Sequence, residues 1–140
     1  MEESKEIFKI SKDEARARDL LEMAEERLNI IIKLIPESVS YKLLEEFYEI
    51  ATQLITSIMY LEGYKTLSHV SLIQFLSKKY DLDSGEIKIL DNMRKFRHGT
   101  VYYGRKESGN FYINHKEEIK KIINKLINLV KKRLKDEKKQ

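Results

Sequence analysis

The side chains best suited to chemistry lie close together, in the run Arg94-Lys-Phe-Arg-His-Gly-Thr-Val-Tyr-Tyr-Gly104. Arginine presents a planar fork of donors that matches a phosphate, and aromatic rings stack on nucleobases. From Arg94 to Lys106 there are five Lys or Arg residues and no acid. Arg94, Arg97, His98, Tyr102 and Tyr103 are therefore the candidate ligand-binding residues, and RNA or a nucleotide is the class of ligand they suit.

A helix must carry this run. Asp83 with Glu86 three residues later reads as a capping box. The helix it opens extends to about Tyr103, with Gly104 as its C-cap. At about 100° per residue, Ile89, Leu90, Met93, Phe96, Thr100, Val101 and Gly104 share one arc of roughly 140°. Arg97 falls inside that arc. A guanidinium there is costly unless it is paired or the arc faces a polar cleft. Arg94, His98 and Tyr102 form a column along the next face, and Tyr103 points to the other edge. A plainer assignment stands beside this one. Arg97 snorkels, or pairs with a carboxylate of the acidic first helix, and the two tyrosines anchor the helix end with their hydroxyls in water.

The remaining composition bounds the answer. The 140 residues are the size of one domain, taken as 1–140, and can bury a core without disulfides or metal. The absence of cysteine excludes disulfides, thiolate catalysis and cysteine-based zinc sites. No apolar run approaches the length of a membrane span, and "MEESKEIFKISKDE" does not read as a signal peptide. The expectation is a soluble, cytoplasmic protein. Charged residues make up 36% of the chain, with Gly at 5 and Pro at 1, which suits a helical protein. Heavy use of Lys, Glu and Ile with no Cys resembles hyperthermophile usage. The net charge of +4 is unevenly spread: residues 1–62 carry −6 and residues 63–140 carry +10. The basic half is compatible with an anionic partner, RNA, nucleotide or acidic protein. A solvated, Lys-rich tail is the plainer reading of residues beyond 130.

The periodicity predicts an all-α fold, an antiparallel up-and-down bundle of about five helices joined by short loops, with no strand pattern. Ser11 with Glu14 reads as the cap of a first helix that runs to Pro36 through Ala17, Leu21, Ala24, Leu28 and Ile31. The second helix, ended by Gly63, is apolar over so wide an arc that it should be the central one. Ser68 caps a short third helix ending near Tyr80. Residues 105–110 read as a loop, and Asn114 with Glu117 as the cap of a last helix. Residues 1–10 and 135–140 are expected to fray.

Two segments carry a resemblance to a known family. "LEGYKTLSHVSLIQFL" (residues 61–76), followed after a loop by "LDNMRKFRHGTVYYGR" (residues 90–105), is similar to the HEPN family of small all-α proteins, in particular its short archaeal single-domain members. The likeness covers nearly the whole chain in helix order. That family's signature is an arginine, often followed by a polar residue, with a histidine five positions after the arginine. Arg97 matches the arginine and His98 the polar residue, but the position five after Arg97 is Tyr102. The resemblance implies a homodimer whose two copies of Arg97 and Tyr102 face one cleft. It makes these two the candidate catalytic residues of a metal-independent endoribonuclease. It also implies a minimal nucleotidyltransferase as a partner, in a pair of toxin–antitoxin type. The departure bears on the chemistry. Histidine transfers protons near neutrality, whereas a phenol with a pKa of about 10 is a poor base there. Binding of RNA or nucleotide is thus expected to survive more readily than efficient cleavage. The other class of function compatible with the chain is a non-catalytic helical module that holds a nucleotidyltransferase or another protein.

The two remaining histidines read blandly. His69 follows the cap Ser68 and reads as a capping or packing residue; His115 has the same reading at the start of the last helix. The three histidines are far apart in sequence and no HxxxH pair occurs, so no metal site is predicted, and no glycine-rich phosphate loop points to a cofactor.

Overall fold

The computed structural model describes residues 6–80 and 82–138, and it is an all-α bundle. Helix α1 spans Glu14–Glu26 and continues without a break through a π turn, Arg27–Ile31, and a 3-10 turn, Ile32–Leu34. Ile35 is extended, the conformation that the following Pro36 imposes. The cap of α1 is Asp13, whose Oδ1 accepts from the Arg16 amide at 2.9 Å. Ser11, the cap expected from the sequence, lies two residues too early. The amides of Ile10 and Asp13 donate to Gly63 and Tyr60 carbonyls at 2.9 and 3.1 Å, so residues 10–13 are held against the end of the second helix before winding can begin.

Helix α2, Ser40–Glu62, is the central one and touches every other helix. Leu44, Phe47, Ile50, Leu54, Ile58 and Leu61 are buried on it, and so are Tyr48, Ile55 and Met59, so the buried arc covers about half of its circumference. Ala17 and Ala24 of α1 are fully buried against this helix, and their small size lets the Ser57 hydroxyl donate to the Ala17 carbonyl at 2.8 Å. Gly63 ends α2 at φ +85°.

Directly after Gly63 the chain forms a short strand, β2 (Tyr64–Thr66), antiparallel to β1 (Ile7–Lys9), with Phe8 opposite Lys65. The sequence showed no strand pattern and placed residues 1–10 in a frayed segment. Residues 7–9 are instead paired, because the left-handed turn at Gly63 sends the chain back alongside them. Residues 1–5 lie outside the described part.

Ser68 caps α3, His69–Lys79, by accepting from the Ser71 amide at 3.2 Å. Helix α4, Ser84–Tyr103, opens on the expected capping box, with both bonds formed at 2.8 and 3.0 Å, and closes on Gly104 at φ +66°. Helix α5 spans Glu107–Lys138. It begins well before Asn114, so residues 107–110 are helical rather than loop. Its first turn is drawn inward: Ser108 is buried and bonds the Thr100 hydroxyl at 2.8 Å, and Gly109 packs on the start of α2. A Cβ at Gly109 would lie 2.4 Å from Ser40 Oγ and 3.2 Å from the Tyr41 amide nitrogen, so this glycine serves close helix approach rather than a turn. At the other end α5 continues to Lys138 instead of fraying after 134. Arg133 holds Glu137 at 3.3 Å and Glu62 at 3.1 Å there, and Tyr80 also donates to Glu62.

Candidate functional site

Helix α4 changes character along its length. Its first half supplies Leu90 and Met93 to the core. In its second half the apolar contacts are lateral: Phe96 stacks on Phe111 of α5 at 5.0 Å, and Thr100 bonds Ser108. The arc that carries Leu90 continues to Arg97 and Val101, but the core ends before them. Val101 is 46% exposed.

At this margin three helices place polar side chains together. The Arg97 side chain, 26% exposed, brings Nη2 to 3.4 Å from Oε1 of Glu49 on α2, and its guanidinium lies 5.9 Å from the centre of the Tyr48 ring. Tyr48 is buried, and its hydroxyl meets Nδ1 of His69 at 2.9 Å; the two rings stack at 5.6 Å. The Ser68 cap places His69 in the first turn of α3, above Tyr48. Among the described residues the Arg97 side chain makes the ion pair with Glu49 but no hydrogen bond, so donors of its fork stay available.

The electrostatics follow from this packing. Burial pushes the Tyr48 phenol upward, against the opposing charge of Arg94 and Arg97, and keeps it protonated. Burial against Tyr48, then the charge of Arg97 and to a lesser degree Arg94, lowers the pKa of His69, while Glu49 acts in the opposite direction. His69 is thus held neutral around neutral pH, and the residue is exposed.

Arg94 is turned away from the predicted column. Its Nε donates to Asp91 Oδ1 at 2.9 Å, and Lys95 meets the same carboxylate at 3.3 Å. Burial alone would raise the Asp91 pKa, but these two cations outweigh it and lower it. An open groove of about 420 Å³ between α3 and α4 lies beside Arg94, with Val70, Ile73 and Ile87 among its apolar lining and Gln74, Ser77 and Lys88 among its polar lining.

His98, Tyr102 and Tyr103 form a separate aromatic group at the end of α4. The His98 ring lies 4.6 Å from Tyr102 and 5.9 Å from Tyr103, and Arg105 lies over Tyr103 at 5.4 Å. Tyr102 and Tyr103 are 65% and 67% exposed. The five candidate residues are therefore divided into Arg97 in the α2–α3–α4 cluster, Arg94 on Asp91, and the three rings at the helix end. The carboxylate that pairs Arg97 is Glu49 of the central helix, not one from the acidic first helix.

His69, Tyr48 and Glu49 have no motif in the sequence that joins them to Arg97. The contact depends on how α2 and α3 pack, and spacing along either helix carries no signal of it. His115 does not start α5; it lies in the third turn, against Phe111 at 4.4 Å and Glu118 at 2.9 Å. Among the described residues no group of three His, Asp or Glu side chains converges to hold a metal, and no helix is long and apolar enough to cross a membrane. Comparison with protein-family models, with curated proteins and with solved structures finds no match to this chain.

Proposed function

We propose that this chain is a HEPN-type protein that binds RNA or a nucleotide phosphate through Arg97 and its neighbours, as a homodimer with weak or absent ribonuclease activity. The observation that carries this reading is Arg97 itself. It stands where the core arc of α4 runs out, partly exposed, with no hydrogen bond to the described protein and with the apolar Val101 uncovered beside it. A guanidinium with donors still available suits a phosphate, and an uncovered apolar arc suits a second subunit. Tyr102 and Tyr103 add exposed rings on which bases stack. Tyr102 contributes a hydrogen-bond donor rather than a base, so cleavage is the weaker part of the reading.

The test is binding and cleavage of single-stranded RNA by the purified protein in chelator. Affinity should fall with salt and fall further in Arg97→Ala, since phosphate contacts release counterions. Sedimentation at micromolar concentration should give a dimer. A monomer whose RNA affinity ignores both salt and Arg97→Ala would overturn the proposal.

A second reading is favoured by the Arg97–Glu49 ion pair. In it the pair is a structural strut, and the exposed end of α4 receives a protein such as a nucleotidyltransferase. Arg97→Ala would then destabilise the fold while leaving RNA affinity unchanged.

A further inference from the structure

We propose that His69 is a direct ligand of the anion that Arg97 receives, completing from α3 a phosphate site whose arginine comes from α4. This rests on the RNA-binding reading above and extends it to a residue outside the Arg97–Tyr102 run. The geometry is specific. Tyr48 contacts both groups, with its ring stacked on His69 at 5.6 Å and lying 5.9 Å from the Arg97 guanidinium carbon, and the Arg97 charge acts on the His69 ring. The Tyr48 hydroxyl engages Nδ1 at 2.9 Å, which fixes the imidazole plane and leaves Nε2 with no partner among the described residues.

The same contact makes a change of charge tolerable. A phenol hydroxyl donates to an unprotonated Nδ1 or accepts from a protonated one, so the bond to Tyr48 survives either state. The charged and titratable groups around His69 are Tyr48 and Glu49 from α2, and Arg97 and Arg94 from α4; Glu6, before β1, ends at 3.1 Å from Ser71 on the next turn of α3. With no ligand, the two arginines oppose a third positive charge. A phosphodiester set between Arg97 and His69 reverses that balance, because its charge favours the imidazolium. The ligand and the proton then bind cooperatively. His98 lacks this setting: its ring neighbours are the exposed Tyr102 and Tyr103.

The probe is a short oligouridylate carrying a dye insensitive to pH, whose phosphodiester charge is constant across the range used. Its affinity for the wild-type protein should rise about three- to tenfold between about pH 8 and about pH 5.5. In His69→Gln, which retains a hydrogen-bonding group for Tyr48, that dependence should be absent; in His98→Gln it should persist on a lower base affinity. In proton NMR the His69 ring resonance, assigned by its loss in His69→Gln, should titrate at higher pH when the oligonucleotide is present. If binding depends on Arg97 but His69→Gln keeps the wild-type pH profile, His69 is not a ligand and the RNA-binding reading stands without it. If no Arg97-dependent binding occurs at any pH, both fall together.

Discussion

Arg97 and Glu49 face each other at 3.4 Å across the α2–α4 contact, an ion pair without a hydrogen bond, and both side chains remain partly exposed. Such a pair contributes at most about 1 kcal/mol to stability. Its larger effect is on what else Arg97 can hold. In Glu49→Gln the competing carboxylate is gone, so RNA affinity at about pH 7.5 should rise roughly two- to fivefold, by less than about 1 kcal/mol. In Arg97→Ala it should fall more than about tenfold, with thermal stability little changed. Fluorescence titration and thermal melts on the two variants check this. A structural strut predicts equal loss of stability in both and no change in affinity.

Gly109 is where the first turn of α5 meets the start of α2. Ala there would normally favour a helix, but its Cβ would fall 2.4 Å from Ser40 Oγ and 3.2 Å from the Tyr41 amide. Overpacking should dominate, with Gly109→Ala destabilising by about 1–3 kcal/mol. Adding Ser40→Ala removes the nearer clash and should recover part of the loss. Urea denaturation of the single and double variants measures both effects.

Two glycines adopt left-handed backbone, yet they should differ in cost. At Gly104, φ +66°, an added Cβ meets nothing within 4 Å, so Gly104→Ala carries only conformational strain, about 1–2 kcal/mol. At Gly63, φ +85°, the Cβ would also lie 3.0 Å from the Ile10 carbonyl oxygen, against the segment that joins β1 to α1. Gly63→Ala should be the more damaging, and it should loosen the β1–β2 pairing. Hydrogen exchange at the Ile10 amide, which donates to Gly63, reports that directly.

Stability should decline toward both ends of the pH scale for separate reasons. His69 has a lowered pKa in the folded protein, so the unfolded chain binds more protons in that range. Its contribution is complete above about pH 6.5 and is lost as pH falls below that value. Asp91, lowered by Arg94 and Lys95, adds a second loss as pH falls through about 4. Tyr48, Tyr80 and Tyr112 are raised by burial, so their contribution is complete below about pH 10 and is lost as pH rises above it. Melting temperatures across this range should show His69→Gln lacking the loss that begins near pH 6.5, and Tyr48→Phe with a shallower alkaline limb.

The elements of this protein are legible in its sequence wherever the deciding interactions are local. The capping box of Asp83 and Glu86, the left-handed caps Gly63 and Gly104, the Ser68 cap and the apolar breadth of α2 each depend on residues a turn apart. So does the placing of Arg97 on an apolar arc, which follows from helical period alone. Reading fails where one element acts on another. Asp13 displaces Ser11 because the end of α2 holds residues 10–13. Residues 7–9 pair because Gly63 turns the chain back to them. Residues 107–110 wind into α5 because Gly109 lets that turn reach α2. The site divides in the same way. Arg94, Arg97, His98, Tyr102 and Tyr103 could be named from spacing and side-chain chemistry. Their division into separate groups, the pairing of Arg97 with Glu49 and the presence of His69 over Tyr48 were decided by tertiary packing. A side chain's type and period say which face it occupies, but which groups share its surroundings depends on contacts between residues far apart in the chain, and no local pattern encodes those.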